Sequence, residues 1–412
     1  MPTRTRRSRA AARSVTRSAP SIALTEFAER RERVLRQLAR AGNAVGLVLA
    51  GEVAGSLDQP FRANADFRYL TGIDDEPGAM LLLDPAHPIR TRRVQLYLRP
   101  LNPEVERWDG LRETVGKSLR NKYGVETILR TGALGRFLLE SARRSKRLAC
   151  LHALASHNTP VSPDLAIMRE SATRIPGATV IDLSTVLPSL RAVKSAAEVR
   201  CIEHAGRITG IGFAAAREAC RPGANEFDVQ EAIEHAYRTN GSRSLAFRTI
   251  AGGGVNGTVL HYHANDRPLK DGDLLVIDSG AAFGGYASDV TRTLAVSGRF
   301  TARQRLVYDT VLKAQAAAIR ACKPGARMGS VDQAARKIIT AAGFGDFFLH
   351  GIGHHLGLEV HDADPASPLE PGMVITIEPG IYIESEAIGV RIEDDVLITR
   401  GAPRVLTAHI PK

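Results

Sequence analysis

The chain has 412 residues, of which 44% are hydrophobic and 24% charged, with a formal net charge of +11. That length is enough for two domains with full cores, and the composition is that of a globular protein rather than a fibrous or disordered one. It holds no run of about 18 apolar residues that would predict a membrane span. Its four cysteines, Cys150, Cys201, Cys220 and Cys322, are far apart, which excludes C-x-x-C zinc sites and a disulfide framework and suits a reducing compartment such as the cytoplasm.

Six of the eleven net charges come from Arg4, Arg6, Arg7, Arg9, Arg13 and Arg17 in an acid-free start to the chain. Residues 1–22 therefore read as a basic, disordered tail. The same Arg- and Ser-rich composition fits a transit peptide, which would make the location organellar instead of cytoplasmic. Without the tail the positive excess is modest, so nucleic acid is not the expected partner.

Residues 23–187 read as an α/β domain. Phe27, Val34, Leu35 and Leu38 form one apolar face of a helix with Gly42 as its stop. "AVGLVLAG" and "AMLLLD" predict buried strands, and "RVQLYLRP" an alternating one. Residues 188–412 read as a second domain, with a sheet backed by helices. It opens at Ser195 and Glu198, which have capping-box spacing before a helix. Further helices are expected in "EFDVQEAIEHAYRTNG" and "ARQRLVYDTVLKAQAAAIRAC", and mostly strands after them.

Gly252-x-Gly254-x-x-Gly257 imitates a dinucleotide fingerprint, with Asp278 at a suitable distance. That site needs a helix directly after the last glycine. The following "TVLHYHAN" is β-branched and aromatic and predicts a strand, so the glycines read as a tight loop.

The chemistry gathers further on. "LLVIDSG", "AFGG" and "YASDVTRTLAV" predict a hairpin that sets Asp278 beside Asp289. "HGIGHHLGLEVHD" places His350, His354, His355 and His361 within twelve residues. It lacks the H-E-x-x-H pattern of helical zinc proteases. Glu378 ends an apolar strand, "GMVITIEPGIYI", and Glu393 lies within another, "GVRIEDDVLIT". Buried carboxylates are costly without a cation. Arg391 alone cannot neutralise four of them, whereas two divalent ions would. One imidazole completes a hard, oxygen-rich set suited to Mn2+, with Zn2+ or Co2+ as alternatives.

The series I-D-S-G…S-D-V-T-R-T, H-G-I-G-H, I-E-P-G and R-I-E-D-D resembles the proline-specific metallopeptidases, aminopeptidase P and prolidase. "RANADFRYLTGIDDEPGAMLLL" and "RWDGLR" resemble the N-terminal domain of the former. The resemblance implies an α+β, pita-bread catalytic domain behind a smaller α/β domain. It implies a dinuclear hydrolase of Xaa-Pro bonds in short peptides, either an aminopeptidase or a dipeptidase, assembled as a homodimer or homotetramer. By it, Asp278 would hold one metal, Asp289 and Glu393 would bridge both, and His354 and Glu378 would hold the other. Glu378 would also handle the proton of the attacking hydroxide. His261 and His361 would face the scissile carbonyl and His350 would lie just outside the metals. Arg391 would orient Glu393 or a substrate carboxylate, and Tyr382 would line the site. His263 and His355 read as structural. The alternative is a non-catalytic peptide- or protein-binding module on the same fold.

Overall fold

The computed structural model describes residues 19–53, 61–154 and 161–412. Most of the expected basic tail, residues 1–18, lies outside the described residues. The first helix, Leu24–Arg40, buries Phe27, Val34, Leu35 and Leu38 as the periodicity requires, and the chain leaves it through Gly42 at φ +82°. Six strands follow: β1 Val45–Leu49, β2 Met80–Leu83, β3 Val94–Leu98, β4 Thr127–Arg130, β5 Arg147–Cys150 and β6 Thr179–Asp182. They form one mixed sheet in the order β4-β3-β2-β1-β5-β6. Strand β3 is buried along nearly its whole length instead of alternating. Its one polar interior residue, Gln95, is satisfied by the Arg92 carbonyl and the Tyr97 hydroxyl, so a sheet-centre strand tolerates it.

The helix Ala196–Ala219 starts on the predicted capping box, with Ser195 and Glu198 each bonded to the other's backbone N–H. Such a cap stabilises a helix by about 1 kcal/mol. The helices Glu226–Thr239 and Ala302–Ala321 lie where their periodicity places them. A further helix, Met328–Ala341, stands where mostly strands are expected; it buries only Val331, Ala335 and Ile339, a narrow stripe among polar residues.

The remaining strands are short: β7 Ser244–Leu245, β8 Ile250–Gly253, β9 Leu274–Ser279, β10 Ala281–Phe283, β11 Tyr286–Ala287, β12 Val290–Ala295, β13 Val374–Ile377, β14 Gly380–Ile383, β15 Ile388–Arg391, β16 Asp394–Leu397 and β17 Arg404–Val405. They form ladders β11-β10-β7, β12-β9-β8, β13-β16-β17 and β14-β15. The predicted hairpin exists, with β9 and β12 antiparallel and Thr291 opposite Asp278. The Thr293 hydroxyl donates to the Arg391 carbonyl and accepts from the Arg391 N–H, stitching β12 to β15. The segment "TVLHYHAN" is not a strand. A single 3-10 turn, Gly254–Thr258, is followed by irregular chain. No helix follows the glycines, so the dinucleotide pattern lacks its context. One apolar core runs from Val34, Leu38 and Leu81 of the first sheet to Ile202, Tyr286, Leu356 and Val374. Among the described residues no helix is long and apolar enough to cross a membrane.

Candidate active site

The acids sit where strands end. Asp278 is the penultimate residue of β9, and Asp289 directly precedes β12. Glu378 occupies the break between β13 and β14, and Glu393 the break between β15 and β16, not the middle of one strand. At such breaks the backbone is freed from the ladder, and local bonds re-aim it. The Glu378 N–H bonds the Ile352 carbonyl at 2.8 Å and the Glu393 N–H bonds the Thr291 carbonyl at 3.1 Å.

His354 is held against β13 from both sides of its peptide: its N–H donates to the Thr376 hydroxyl and its carbonyl accepts from the Thr376 N–H. Gly353 makes that approach possible. Its φ is +155°, and a Cβ there would meet the Thr376 carbonyl oxygen at 2.1 Å. The His354 Nδ1 lies 3.0 Å from its neighbour's carbonyl, which fixes Nδ1 as the N–H donor. Nε2 is left pointing at Asp289 and Glu378, 3.4 and 3.6 Å away, the tautomer a metal ligand needs.

Asp289, His354 and Glu393 each place one ligand atom within 4.8 Å of the others. Asp278 and Glu378 lie outside that triple but within its field. Burial, with Asp289 among the repelling charges, lifts Asp278 to about 6 against the pull of Arg391. Burial lifts Glu378 to about 7, with Asp289 and Asp278 adding to the rise. Burial and repulsion from Asp289, Glu378 and Asp278 push Glu393 well above the carboxylate range. Burial disfavours charge on His354, yet Asp289 and Glu378 outweigh it and raise it to about 9, so in the metal-free protein a proton takes the place of a cation.

Among the described residues Arg391 is the one arginine or lysine paired with any of the four acids, at 2.8 Å from Asp278. It reaches Asp278 rather than Glu393, which instead accepts from the Thr291 hydroxyl at 2.8 Å. Oδ1 of Asp278, Oδ1 of Asp289 and Oε1 of Glu393 are buried with no hydrogen-bond partner. Three orphaned carboxylate oxygens in one cluster fit divalent cations, since each would otherwise lose its solvation uncompensated.

Arg391, Tyr382 and His350 form an ordered chain. Arg391 Nη1 donates to the Tyr382 hydroxyl at 2.9 Å, and that hydroxyl lies 2.8 Å from His350 Nε2. Burial pushes His350 down to about 4, so it is neutral, with Nδ1–H toward the Gly351 carbonyl and Nε2 accepting. His361 packs against His354 with ring centroids 4.1 Å apart and the rings tilted by 54°. Burial lowers its pKa, and the imidazoles of His354 and His261 lower it further against the pull of Asp289. His355 is 2% exposed and turned toward Asp364, consistent with a packing role. His263 is half-buried; its Nδ1 is without a partner and burial lowers its pKa.

Two contributors escaped the sequence reading. Thr291 donates to Glu393 and accepts from Arg391 Nε. Asp395, fully buried, accepts from the Ser288 hydroxyl and the Asp289 N–H, and so orients a ligand without being one of the predicted set. Its signal was available: Asp395 lies two residues from Glu393, on the same side of an extended chain.

Residues 200–400 match the family described as metallopeptidase family M24, and residues 27–149 match the aminopeptidase P N-terminal domain. The chain is 36% identical to a Xaa-Pro aminopeptidase of Haemophilus influenzae, over 94% of this chain and 95% of that one. A Xaa-Pro dipeptidase of Pyrococcus furiosus is 42% identical over 55% of this chain and 66% of its own. Aminopeptidase P from Escherichia coli, solved with the inhibitor Pro-Leu, superposes with a TM-score of 0.83 at 33% identity, covering 95% of this chain and 96% of that one.

Proposed function

Since the chain belongs to metallopeptidase family M24 and is a metal-dependent exopeptidase of the Xaa-Pro type, we propose that it is an Xaa-Pro aminopeptidase with its dinuclear centre at Asp278, Asp289, His354, Glu378 and Glu393. The observation that carries the reading is the set of buried, unpartnered oxygens on Asp278, Asp289 and Glu393. The aminopeptidase specificity rests on coverage, because the H. influenzae aminopeptidase is matched along almost the whole chain and the P. furiosus dipeptidase along little more than half.

When bound, two divalent cations supply Lewis acidity at the scissile carbonyl and make a water acidic enough to attack at neutral pH. The protein's own groups do the rest. Asp278, Asp289, His354, Glu378 and Glu393 would together hold the two ions. Glu378 accepts the proton of the attacking water. His261 and His361 donate toward the carbonyl oxygen as it gains charge. Arg391 orients Asp278 and Tyr382, and Tyr382 holds His350 beside Glu378. A bond to proline nitrogen has no N–H for a strand-like binding groove to use, so recognition falls to the shape of the site.

Four oxygen donors and one nitrogen favour Mn2+, with Zn2+ or Co2+ as alternatives. Short proline-containing peptides are the substrates. By analogy with the family the assembly is a homodimer or homotetramer; the scattered, unpaired cysteines favour the cytoplasm, with an organelle as the alternative if the Arg-rich start is a transit peptide. We place the domain boundary at residues 187/188, after the last strand of the six-stranded sheet and within the short helix Val186–Ala192.

The test is a peptide panel on metal-stripped protein reloaded with each ion. A tripeptide Xaa-Pro-Yaa should lose its first residue, only after reloading, and best with Mn2+. Hydrolysis confined to the dipeptide Xaa-Pro would make the enzyme a dipeptidase. Full turnover by the stripped protein would remove the metal centre from the account.

A further inference from the structure

The segment between β8 and β9 that carries His261 has no regular structure beyond its 3-10 turn, and His261 itself is exposed. An exposed imidazole on irregular chain would sample many positions unless the chain is tied down. The tie is Glu226. It is the first residue of the helix Glu226–Thr239 and is fully buried. Its Oε1 accepts from the Gly253 N–H at 2.7 Å and from Asn256 Nδ2 at 3.1 Å. Its Oε2 accepts from the Tyr262 hydroxyl at 2.9 Å and the Arg267 N–H at 2.9 Å. One carboxylate therefore holds both ends of the segment 253–267 and the residue next to His261. Four donors compensate its burial. Among the described residues no arginine or lysine is ion-paired with it. On the far side the backbone of Gly257 is pressed so close to Gly389 that a Cβ there would meet the Gly257 carbonyl oxygen at 1.9 Å, so the segment is clamped between Glu226 and β15.

We propose that Glu226 is a positioning residue for the reaction, holding the imidazole of His261 in its substrate-facing place through Tyr262 and the two ends of the segment. This rests on the reading that His261 faces the substrate. A misplacement of about 1 Å at a reacting group can cost as much as 100-fold in rate. Glu226→Gln keeps the shape of the side chain but turns an amide N–H toward donors that need an acceptor.

The experiment is a double-mutant cycle on the metal-loaded enzyme with Xaa-Pro-Yaa, read as separate kcat and KM, together with bound metal and the thermal midpoint. Glu226→Gln should lower kcat about 10- to 100-fold with KM within about twofold and wild-type metal content. In a His261→Ala background the same substitution should change kcat less than about twofold. Equal losses in both backgrounds, or wild-type kcat in Glu226→Gln, overturn the proposal. If His261→Ala alone turns over like wild type, the substrate-facing role of His261 is what has failed, and the proposal falls with it. Should Glu226→Gln not fold, Tyr262→Phe removes only the hydroxyl that Glu226 shares with Asp266, leaves Gly253, Asn256 and Arg267 on the carboxylate, and is judged by the same two-background criterion.

Discussion

Asp362 and Glu393 are both interior carboxylates, 8% and 1% exposed, yet the protein treats them in opposite ways. Asp362 meets Arg191 and, at 3.1 Å, Lys194. Arg191 also reaches Asp66 at 2.7 Å and Glu359 at 2.6 Å. Burial alone would lift Asp362, but Lys194 and Arg191 hold it below the usual range. Glu393 has other acids for neighbours and one hydroxyl donor, and is driven far above that range. The two acid clusters thus differ in who supplies the positive charge. Where the chain supplies its own arginine and lysine, the cluster is a fastening. Where it supplies almost none, the cluster is a place for cations from outside.

Substitution should separate the two. Asp289→Asn removes one charge from the starved cluster and should cost several kcal/mol of transition-state stabilisation, about a thousandfold or more in kcat/KM, while the metal-free protein unfolds no more easily than wild type. Wild-type turnover with full metal content would break the contrast. Arg191→Gln should do the reverse. It leaves Asp362 buried and short of a partner, and urea unfolding should report a loss of about 3 to 5 kcal/mol. A stability loss under about 0.5 kcal/mol would show that the fastening is not one.

The pH dependence sharpens the same comparison with a smaller effect. Asp278 and Glu378 have folded values near 6 and 7, above their ordinary ones. A raised carboxylate contributes its stability below its unfolded value and loses it as pH rises through the folded value. In the metal-free protein these two groups should therefore lose stability between about pH 4 and pH 7, against a rise over the same window from His350, which is depressed to about 4, and Mn2+ should remove the carboxylate part of the slope. Asp362, with a depressed value, has the opposite sign: its contribution is present above about pH 4 and is lost on acidification. Thermal midpoints from about pH 2 to pH 7, with and without Mn2+, check both. A pH slope that Mn2+ leaves unchanged would contradict the charge starvation of the centre.

The starved cluster could be read before any coordinates because its members stand in apolar surroundings, where an acid is conspicuous. Asp278 in "LLVIDSG" and Glu378 in "VITIEPG" interrupt strands that are otherwise aliphatic. The fastening could not be read that way. Arg191 and Asp362 are 171 residues apart, and nothing local marks either as the other's partner. Glu226 was hidden for the same reason: an acid in the first turn of a helix is commonplace, and only the packed loop above it reveals four donors on one carboxylate. The helix Met328–Ala341 and the irregular chain around His261 were missed because narrow stripes and β-branched residues are weak guides once tertiary contacts compete with them.

What the sequence determined by itself was the inventory: five candidate ligand residues in order, the strands and helices that carry most of them, and the resemblance that joins them. Tertiary structure decided how they are used. It set Arg391 on Asp278 and Thr291 on Glu393, chose the His354 tautomer through a neighbouring carbonyl, and left three carboxylate oxygens buried with no donor. Residue type fixes which charges and bonds a side chain can offer, but burial fixes what each must find. That depends on partners a hundred or more residues distant, whose arrival no local pattern encodes.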